Sequence, residues 1–295
     1  MARGSWRQSR DVTRRAWAVV KENPYMLLFP VAGAVLAIVA VLIIGGAGIA
    51  ALGWSTVEQS AADTQVSTGT LVVGVLILIL AAYAATLITQ ICMGGLVKCA
   101  DEELQGRDSS FGAGLSAAMR RLPALLGWAA IQTLVGWLLS AIRGGDNNNV
   151  IVTILRLLIA SLLAVAWSVV TFFVLPLIIL RGKGPGAAIK ESVSVIRQTW
   201  GMQIAGGVRI GGIIGLVAVL PGILFAVVGF FIAAAGTPAL GVPVATLGVV
   251  VVILAQVLIS ALRAVFSVAM LHYVEDRQGF GPFTIDDLQS AVRVK

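Results

Sequence analysis

The chain reads as an all-α polytopic membrane bundle of six transmembrane helices. They form three repeated units, each an amphipathic interfacial helix followed by two spans, with both termini in the cytoplasm. Three observations predict this. The first is composition. Of 295 residues, 58% are hydrophobic and only 12% charged, with a mean hydropathy of +0.97. A soluble domain carries about 25% charged residues, so here there is too little charge to cover a surface in water. The second is a series of apolar runs, each long enough to cross a bilayer. The third is the one-sided distribution of Lys and Arg around those runs.

A span needs about 20 mostly apolar residues. The runs lie at about 25–52, 70–97, 122–142, 150–180, 202–235 and 240–273. The first begins near Tyr25 and is too long for the apolar core of a signal peptide, so it reads as a span. The fifth exceeds one bilayer thickness, and Pro221-Gly222 is the expected kink. No Pro/Ser-rich linker divides the chain, so it reads as one membrane domain, 1–295.

Orientation follows from the basic residues. Arg3, Arg7, Arg10, Arg14, Arg15 and Lys21 precede span one. Lys98, Arg107, Arg120 and Arg121 follow span two, Arg181, Lys183, Lys190 and Arg197 follow span four, and Arg277, Arg293 and Lys295 follow span six. The alternate connections are nearly bare: 53–69 carry Glu58 and Asp63, 143–149 carry Arg143 and Asp146, and 236–239 carry no charge. This places both ends in the cytoplasm and the protein in the cytoplasmic (inner) cell membrane. The net charge of +7 sits at helix ends. The implied partner is therefore an anionic headgroup surface rather than nucleic acid.

Each basic segment contains an amphipathic helix. The first, 5–21, places Trp6, Thr13, Ala16, Trp17 and Val20 on one face. The second aligns Phe111, Leu115, Met119 and Leu122, and the third Ile189, Val193, Ile196 and Trp200. A fourth, about 284–293, carries Ile285, Leu288 and Val292 behind a capping-box pair, Thr284 and Asp287. Gly-rich stretches at 111–114, 184–186 and 279–282 read as turns introducing the last three. The repeat units are about 5–97, 108–180 and 184–273. Successive units keep one orientation, unlike the inverted repeats of many transporters.

Ser5-Trp6, a basic helix and Leu27-Leu28-Phe29-Pro30 open the chain. Val174-Leu175-Pro176 leads to Arg181-Gly182-Lys183-Gly184-Pro185, then 187–192 (AAIKES) and Thr199-Trp200-Gly201. In these motifs the chain resembles a bacterial and archaeal six-helix integral membrane family of unknown function. That family is similar in pattern to the membrane domain fused to some glycerophosphodiester phosphodiesterases. The resemblance implies a membrane bundle and brings no catalytic residues with it.

The chemistry-bearing residues are few. No carboxylate falls within a span, which argues against an Asp/Glu proton relay and against intramembrane aspartyl or metalloprotease chemistry. Asp101, Glu102, Glu103, Glu275 and Asp276 read as solvated helix ends paired with neighbouring cations. His272 reads as an interfacial side chain, and Cys92 and Cys99 as reduced thiols two helical turns apart. No metal site, cofactor or catalytic group is predicted. The exceptional residues are Arg156, Arg209 and Arg263 inside spans, with Arg209 and Arg263 expected at a similar depth. A charge at a helix centre costs about 2.5–3.5 kcal/mol. Such arginines either snorkel to headgroups or hold an anionic lipid phosphate between helices. Arg7, Arg10, Arg14, Arg120, Arg121, Lys190 and Arg197 are the expected interfacial cations. Gly207, Gly211 and Gly215 form small-xxx-small steps for helix packing, and Gly45, Gly46 and Gly48 a looser set. Gln90, Gln132, Thr133 and Gln256 are expected to hydrogen-bond between helices.

The function expected from this pattern is non-enzymatic: binding or moving lipid or another amphiphile through an inter-helix cavity. The alternative is a structural, assembly or regulatory component that scaffolds a membrane-protein partner.

Overall fold

A computed structural model of the chain describes residues 14–53, 67–144, 150–200, 219–234, 236–276, 278–283 and 285. These residues are helical apart from short connections and one isolated bridge between Phe280 and Phe283. Residues 14–22 form helix α1. A 3-10 turn, Pro24–Leu27, leads into α2 (Leu28–Leu52), and α3 (Thr68–Leu104) follows. Next come α4 (Phe111–Met119), α5 (Leu122–Arg143), α6 (Val150–Val170), α7 (Val174–Arg181) and α8 (Pro185–Trp200). The last two are α9 (Leu220–Ala234) and α10 (Pro238–Asp276).

Among the described residues five segments are long and apolar enough to cross a membrane: Pro24–Leu52, Thr68–Leu104, Leu122–Arg143, Val150–Arg181 and Ala239–Asp276. The chain is thus a multi-pass membrane protein. Of the expected fifth run, 202–218 lie outside the described residues. The described remainder, α9, has 15 residues and measures about 22 Å, short of a hydrocarbon layer of about 30 Å. The expected kink at Pro221-Gly222 falls where α9 begins.

Close backbone approach sets the hairpins. On α9, Gly222 and Gly229 stand seven residues apart, as do Gly241 and Gly248 on α10. A Cβ on Gly229 would lie 2.2 Å from Ala245 N, and one on Gly248 2.3 Å from Ala226 N. The two helices therefore meet backbone to backbone in one antiparallel register, a geometry that only small residues permit. The α2–α3 pair does the same more loosely, with Gly33 against Cys92 and Gly48 against Ile77. Gly45 and Gly46, expected to share that contact, meet no neighbouring atom within 4 Å, so Gly48 alone of the three faces α3. The expected packing glycines Gly207, Gly211 and Gly215 lie outside the described residues.

The core sits at one end, here called the base. It gathers Met26 and Phe29, the last turns of α3 from Cys92 to Leu104, Leu125 and Trp128, α7 from Val174 to Leu180, and α10 from Ala261 to Tyr273. Toward the other end the helices expose their apolar side chains, as at Leu42 (67%), Ile151 (76%) and Leu240 (68%). That is the pattern of a surface whose solvent is lipid.

Short helices complete the base. Ser110 caps α4 by accepting from Ala113 N at 3.3 Å, so residues 111–114 form its first turn rather than a separate turn. The buried residues of α4 are Gly114, Ala117 and Ala118, while Met119 is exposed. The reason is proximity: a Cβ on Gly114 would lie 2.7 Å from Gly95 O of α3. The larger Phe111 flanks the contact, its ring 4.5 Å from that of Phe29. On α1 the buried residues are Ala16, Val19 and Val20, and Trp17 projects outward. Gly182 ends α7 in the left-handed conformation, φ 66°. The guanidinium of Arg121 lies against it, within 2.8 Å of where a Cβ would stand.

Span four is interrupted. Residues 171–173 are turn, and Val174 N bonds Thr171 O instead of Val170 O. Pro176 has no N–H to return to Phe172 O, so the α6 ladder cannot continue unbroken. Ser192, wholly buried on α8, repairs the gap. Its Oγ donates to Val170 O at 2.5 Å and accepts from Phe173 N at 3.4 Å. The face that α8 buries is Ala188, Ser192 and Ile196, and it packs back along α7.

Two pairs of substitutions test this architecture. Gly229→Ala forces α9 and α10 apart and should cost about 1–3 kcal/mol. Gly45→Ala, in open space, should leave stability unchanged or raise it by up to about 1 kcal/mol. Thermal unfolding in detergent measures both, and equal effects would refute the backbone contact. Ser192→Ala removes the donor to Val170 O and should cost about 1–3 kcal/mol, whereas Ser116→Ala, on an exposed position of α4, should be neutral in the same assay.

Candidate functional site

Between Ala261 and Leu271 every residue of α10 is buried except Arg263. Neighbouring helices surround this stretch on all sides but one, and the arginine occupies the open side. Its Nη2 donates to Ser168 Oγ in the last turn of α6. No carboxylate among the described residues pairs with it.

Other polar groups share this level. Trp167 Nε1 donates to Gln132 Oε1 of α5 at 2.8 Å, and its ring lies 6.1 Å from that of Trp128. Thr171 Oγ1 donates to Trp167 O at 2.8 Å. Thr133 Oγ1 is buried without a partner. Gln132 thus bridges helices as expected and Thr133 does not. The result is a polar layer across α5, α6 and α10, beside the interruption at 171–173.

A second polar cluster lies deeper in the base and is fully engaged. Asp101 is buried, 6% exposed. Its Oδ1 lies 2.8 Å from His272 Nε2 and accepts from Gln105 Nε2 at 2.9 Å. The His272 ring stacks on Phe280, centroids 3.9 Å apart and planes within 13°. Lys98 Nζ lies 3.5 Å from Asp101 and 3.2 Å from Glu102. Tyr25 donates to Glu103 at 2.8 Å, and Ser109 Oγ to Glu102 at 2.7 Å. Arg181 of α7 grips Glu275 of α10 with two nitrogens, Nε at 3.0 Å. Lys183 pairs with Glu191, and Arg15 donates to Pro282 O. Gly281, at φ 59°, turns the chain so that Phe283 is buried against this assembly.

The carboxylate ends are therefore not all solvated: Asp101 is a buried acceptor that ties α3 to α10. His272 is not simply interfacial but is held between that carboxylate and an aromatic ring. The Asp101–His272 and Arg181–Glu275 pairs each join two helices, which assigns them to holding the base together.

Of the arginines expected inside spans, Arg156 and Arg263 stand at different levels. Arg156 lies on the inner stripe of α6 with Ala160, Ala164 and Trp167. It stands twelve residues, about 18 Å, from Ser168. Arg209 lies outside the described residues, as do Arg7 and Arg10. Arg14, Arg120, Arg121, Lys190 and Arg197 are exposed. Cys92 and Cys99 are free and buried. Among the described residues no three His, Cys, Asp or Glu side chains come together as a metal site requires. Sequence reasoning missed Ser168, because a lone serine in an apolar run carries no signal until its partner is known. It missed Ser192 as well, although the spacing Ala188, Ser192, Ile196 is that of a buried helix stripe.

A family model described as a family of unknown function (DUF6159) matches residues 68–281. No curated protein and no solved structure matches the chain. The matched segment begins at α3 and runs through α10 to the turn that carries Phe280, so it contains Arg263, Ser168, Ser192 and the Asp101–His272 pair. With well over half of its length matched, the chain belongs to the DUF6159 family.

Proposed function

We propose that this chain is a non-enzymatic lipid-binding membrane protein in which Arg263 holds the phosphate of an anionic phospholipid at the base-side surface of the bilayer. The observation that carries the proposal is the placement of Arg263, the one exposed residue on an otherwise enclosed stretch of α10.

Depth supports it. α10 has 39 residues, about 58 Å, and so outruns a hydrocarbon layer of about 30 Å. Arg263 stands 25 residues from Pro238, about 38 Å. With the start of α10 at the far interface, this falls within the headgroup layer, since headgroups bring a bilayer to about 40–45 Å. α6 agrees: its 21 residues span about 31 Å, so the interruption after Val170 marks the same boundary. Depth counted back from His272 looks greater because α10 continues past the membrane into the base. At a headgroup level the cost of the charge falls. The guanidinium has five N–H donors, of which Ser168 engages one nitrogen, leaving a fork suited to phosphate oxygens.

The remaining charges support a protein that binds rather than one that catalyses, because the carboxylates of the base serve as ties between elements. The exposed cations Arg14, Arg120, Lys190 and Arg197 surround the base, and they orient it toward the cytoplasm and its anionic leaflet. We read the three hairpins as one repeated unit in a common orientation. The pattern similarity to membrane domains fused to glycerophosphodiester phosphodiesterases favours a lipid context.

Native mass spectrometry of the purified protein tests the lipid site. Wild type should retain phosphatidylglycerol, and Arg263→Gln should lower the retained fraction at least about threefold, as for one lost charge-assisted contact. Retention unaltered by Arg263→Gln would sink the proposal. Orientation is tested in intact cells with a membrane-impermeant maleimide, the native thiols being buried. Thr237→Cys, at the far end, should react and Asp108→Cys, at the base, should not. The opposite pattern would invert the topology.

A further inference from the structure

We infer that the lipid held at Arg263 is a diester glycerophospholipid, and that Ser260 and Gln256 of α10 recognise its ester carbonyls. The inference rests on the lipid reading above and names the chemical class that the same site accepts.

Helical spacing sets the three residues in one line. Gln256, Ser260 and Arg263 stand at i, i+4 and i+7, which places them on one face of α10 within an arc of about 60°. That face is the open one. Arg263 and Gln256 are exposed and Ser260 is half-buried, while Ala255, Ala261 and Leu262 beside them are buried. Toward the far end the same face continues through Ile253 and Val249, both exposed. Read from there to the base, the line is apolar, apolar, amide, hydroxyl, guanidinium.

Depth orders these groups as a phospholipid is ordered. Counted from Pro238, Gln256 stands at about 27 Å, Ser260 at about 33 Å and Arg263 at about 38 Å. With the start of α10 at the far interface, a hydrocarbon layer of about 30 Å ends between Gln256 and Ser260. Arg263 lies beyond it, among headgroups. In a glycerophospholipid the phosphate also lies among headgroups, and the ester carbonyls lie at the edge of the hydrocarbon. The face thus offers a forked cation at the phosphate level and two hydrogen-bond donors at the ester level. Ile253 and Val249 follow where the acyl chains begin.

The donors are also unspent. Thr246 and Ser267, polar residues of the same helix, donate to Val242 O and Ala264 O, each at 2.8 Å. Gln256 and Ser260 make no hydrogen bond among the described residues. An amide at the edge of hydrocarbon without a partner is costly. An ester carbonyl is an acceptor that the Gln256 amide and the Ser260 hydroxyl can each meet. A diether lipid carries the same phosphate and the same chains but lacks these carbonyls. It would leave both donors unpaired, and a site built to hydrogen-bond one ligand rejects the analogue that lacks the bonding group.

Native mass spectrometry with two matched lipids tests this. Dipalmitoyl phosphatidylglycerol and its dihexadecyl diether share headgroup, charge and chain length and differ in the ester carbonyls. From an equimolar mixture the wild type should retain the diester over the diether by about three- to tenfold, as for one or two hydrogen bonds. Gln256→Leu combined with Ser260→Ala should bring that ratio to about one while lipid is still retained. Arg263→Gln should lower retention of both lipids. Excess inorganic phosphate should displace neither, since it engages Arg263 alone; displacement of both would make a free anion the ligand and overturn the inference. Equal retention of the two lipids by the wild type would overturn it too, and that comparison needs no variant to fold. If this happens while retention still depends on Arg263, the phosphate site stands and the ester reading alone is lost. If retention does not depend on Arg263, the lipid reading itself fails. Thermal unfolding of the double variant close to wild type ties a lost preference to the lost donors.

Discussion

A polar group that enters hydrocarbon without a partner costs several kcal/mol, and this one constraint accounts for the distribution of everything else in the molecule. Where helices run through lipid they present apolar side chains, and their backbone groups bond only within the helix. Where the chain must bend, at 171–173, a buried serine from another helix supplies the missing partners. Where charged groups gather, they lie at the base and the enclosed ones are matched: Asp101 with His272, Glu275 with Arg181, Glu103 with Tyr25. The base is the packed core because there the ends of the helices leave the lipid and side chains gain from burial.

The same reasoning explains why the far halves of the helices are loosely associated. Lipid tails are as apolar as leucine, so no hydrophobic gain draws one helix onto another within the bilayer. Helices meet there only where glycine lets backbones touch. The α9–α10 pair has four such glycines in heptad spacing and runs in close contact. α6 has none and buries only Ala160. Near its base end it is tied by Trp167 to Gln132 and by Ser168 to Arg263.

The membrane class and five of the spans were legible in the sequence because hydropathy is a property of single segments. Their bounds agree to within a few residues except at the base, where α3 and α10 extend beyond the expected ends, to Leu104 and Asp276. Those extensions are polar enough to end an apolar run, yet helical, since tertiary packing in the base sustains them. The second and third amphipathic helices, and the described end of the first, were legible as elements and in part of their buried faces, as at Ala16, Val20 and Ile196, while of the fourth, 284–293, all but position 285 lies outside the described residues. Large apolar residues such as Trp17 and Met119 marked the wrong side, because what decides burial at close range is smallness, as in Ala16, Gly114 and Ala118. Arg263 stood out as a charge in an apolar run. Its partner did not, and neither did the pairing of Asp101 with His272, which brings together residues 171 positions apart.

Arg263 lies where two regimes meet. On one side the base fixes α10 through Glu275, His272 and a dense core. On the other, the helices are held by lipid and by contacts that glycine permits. A guanidinium at this boundary has five N–H donors, enough to bond a protein hydroxyl and a headgroup phosphate together. Lysine could not serve equally, because a point charge lacks the planar fork that makes one bidentate partner stronger than one hydroxyl. A site deep in the hydrocarbon would carry the full cost of burying its charge. On the proposed reading, a residue at this level meets a headgroup at lower cost while Ser168 holds its side chain in place.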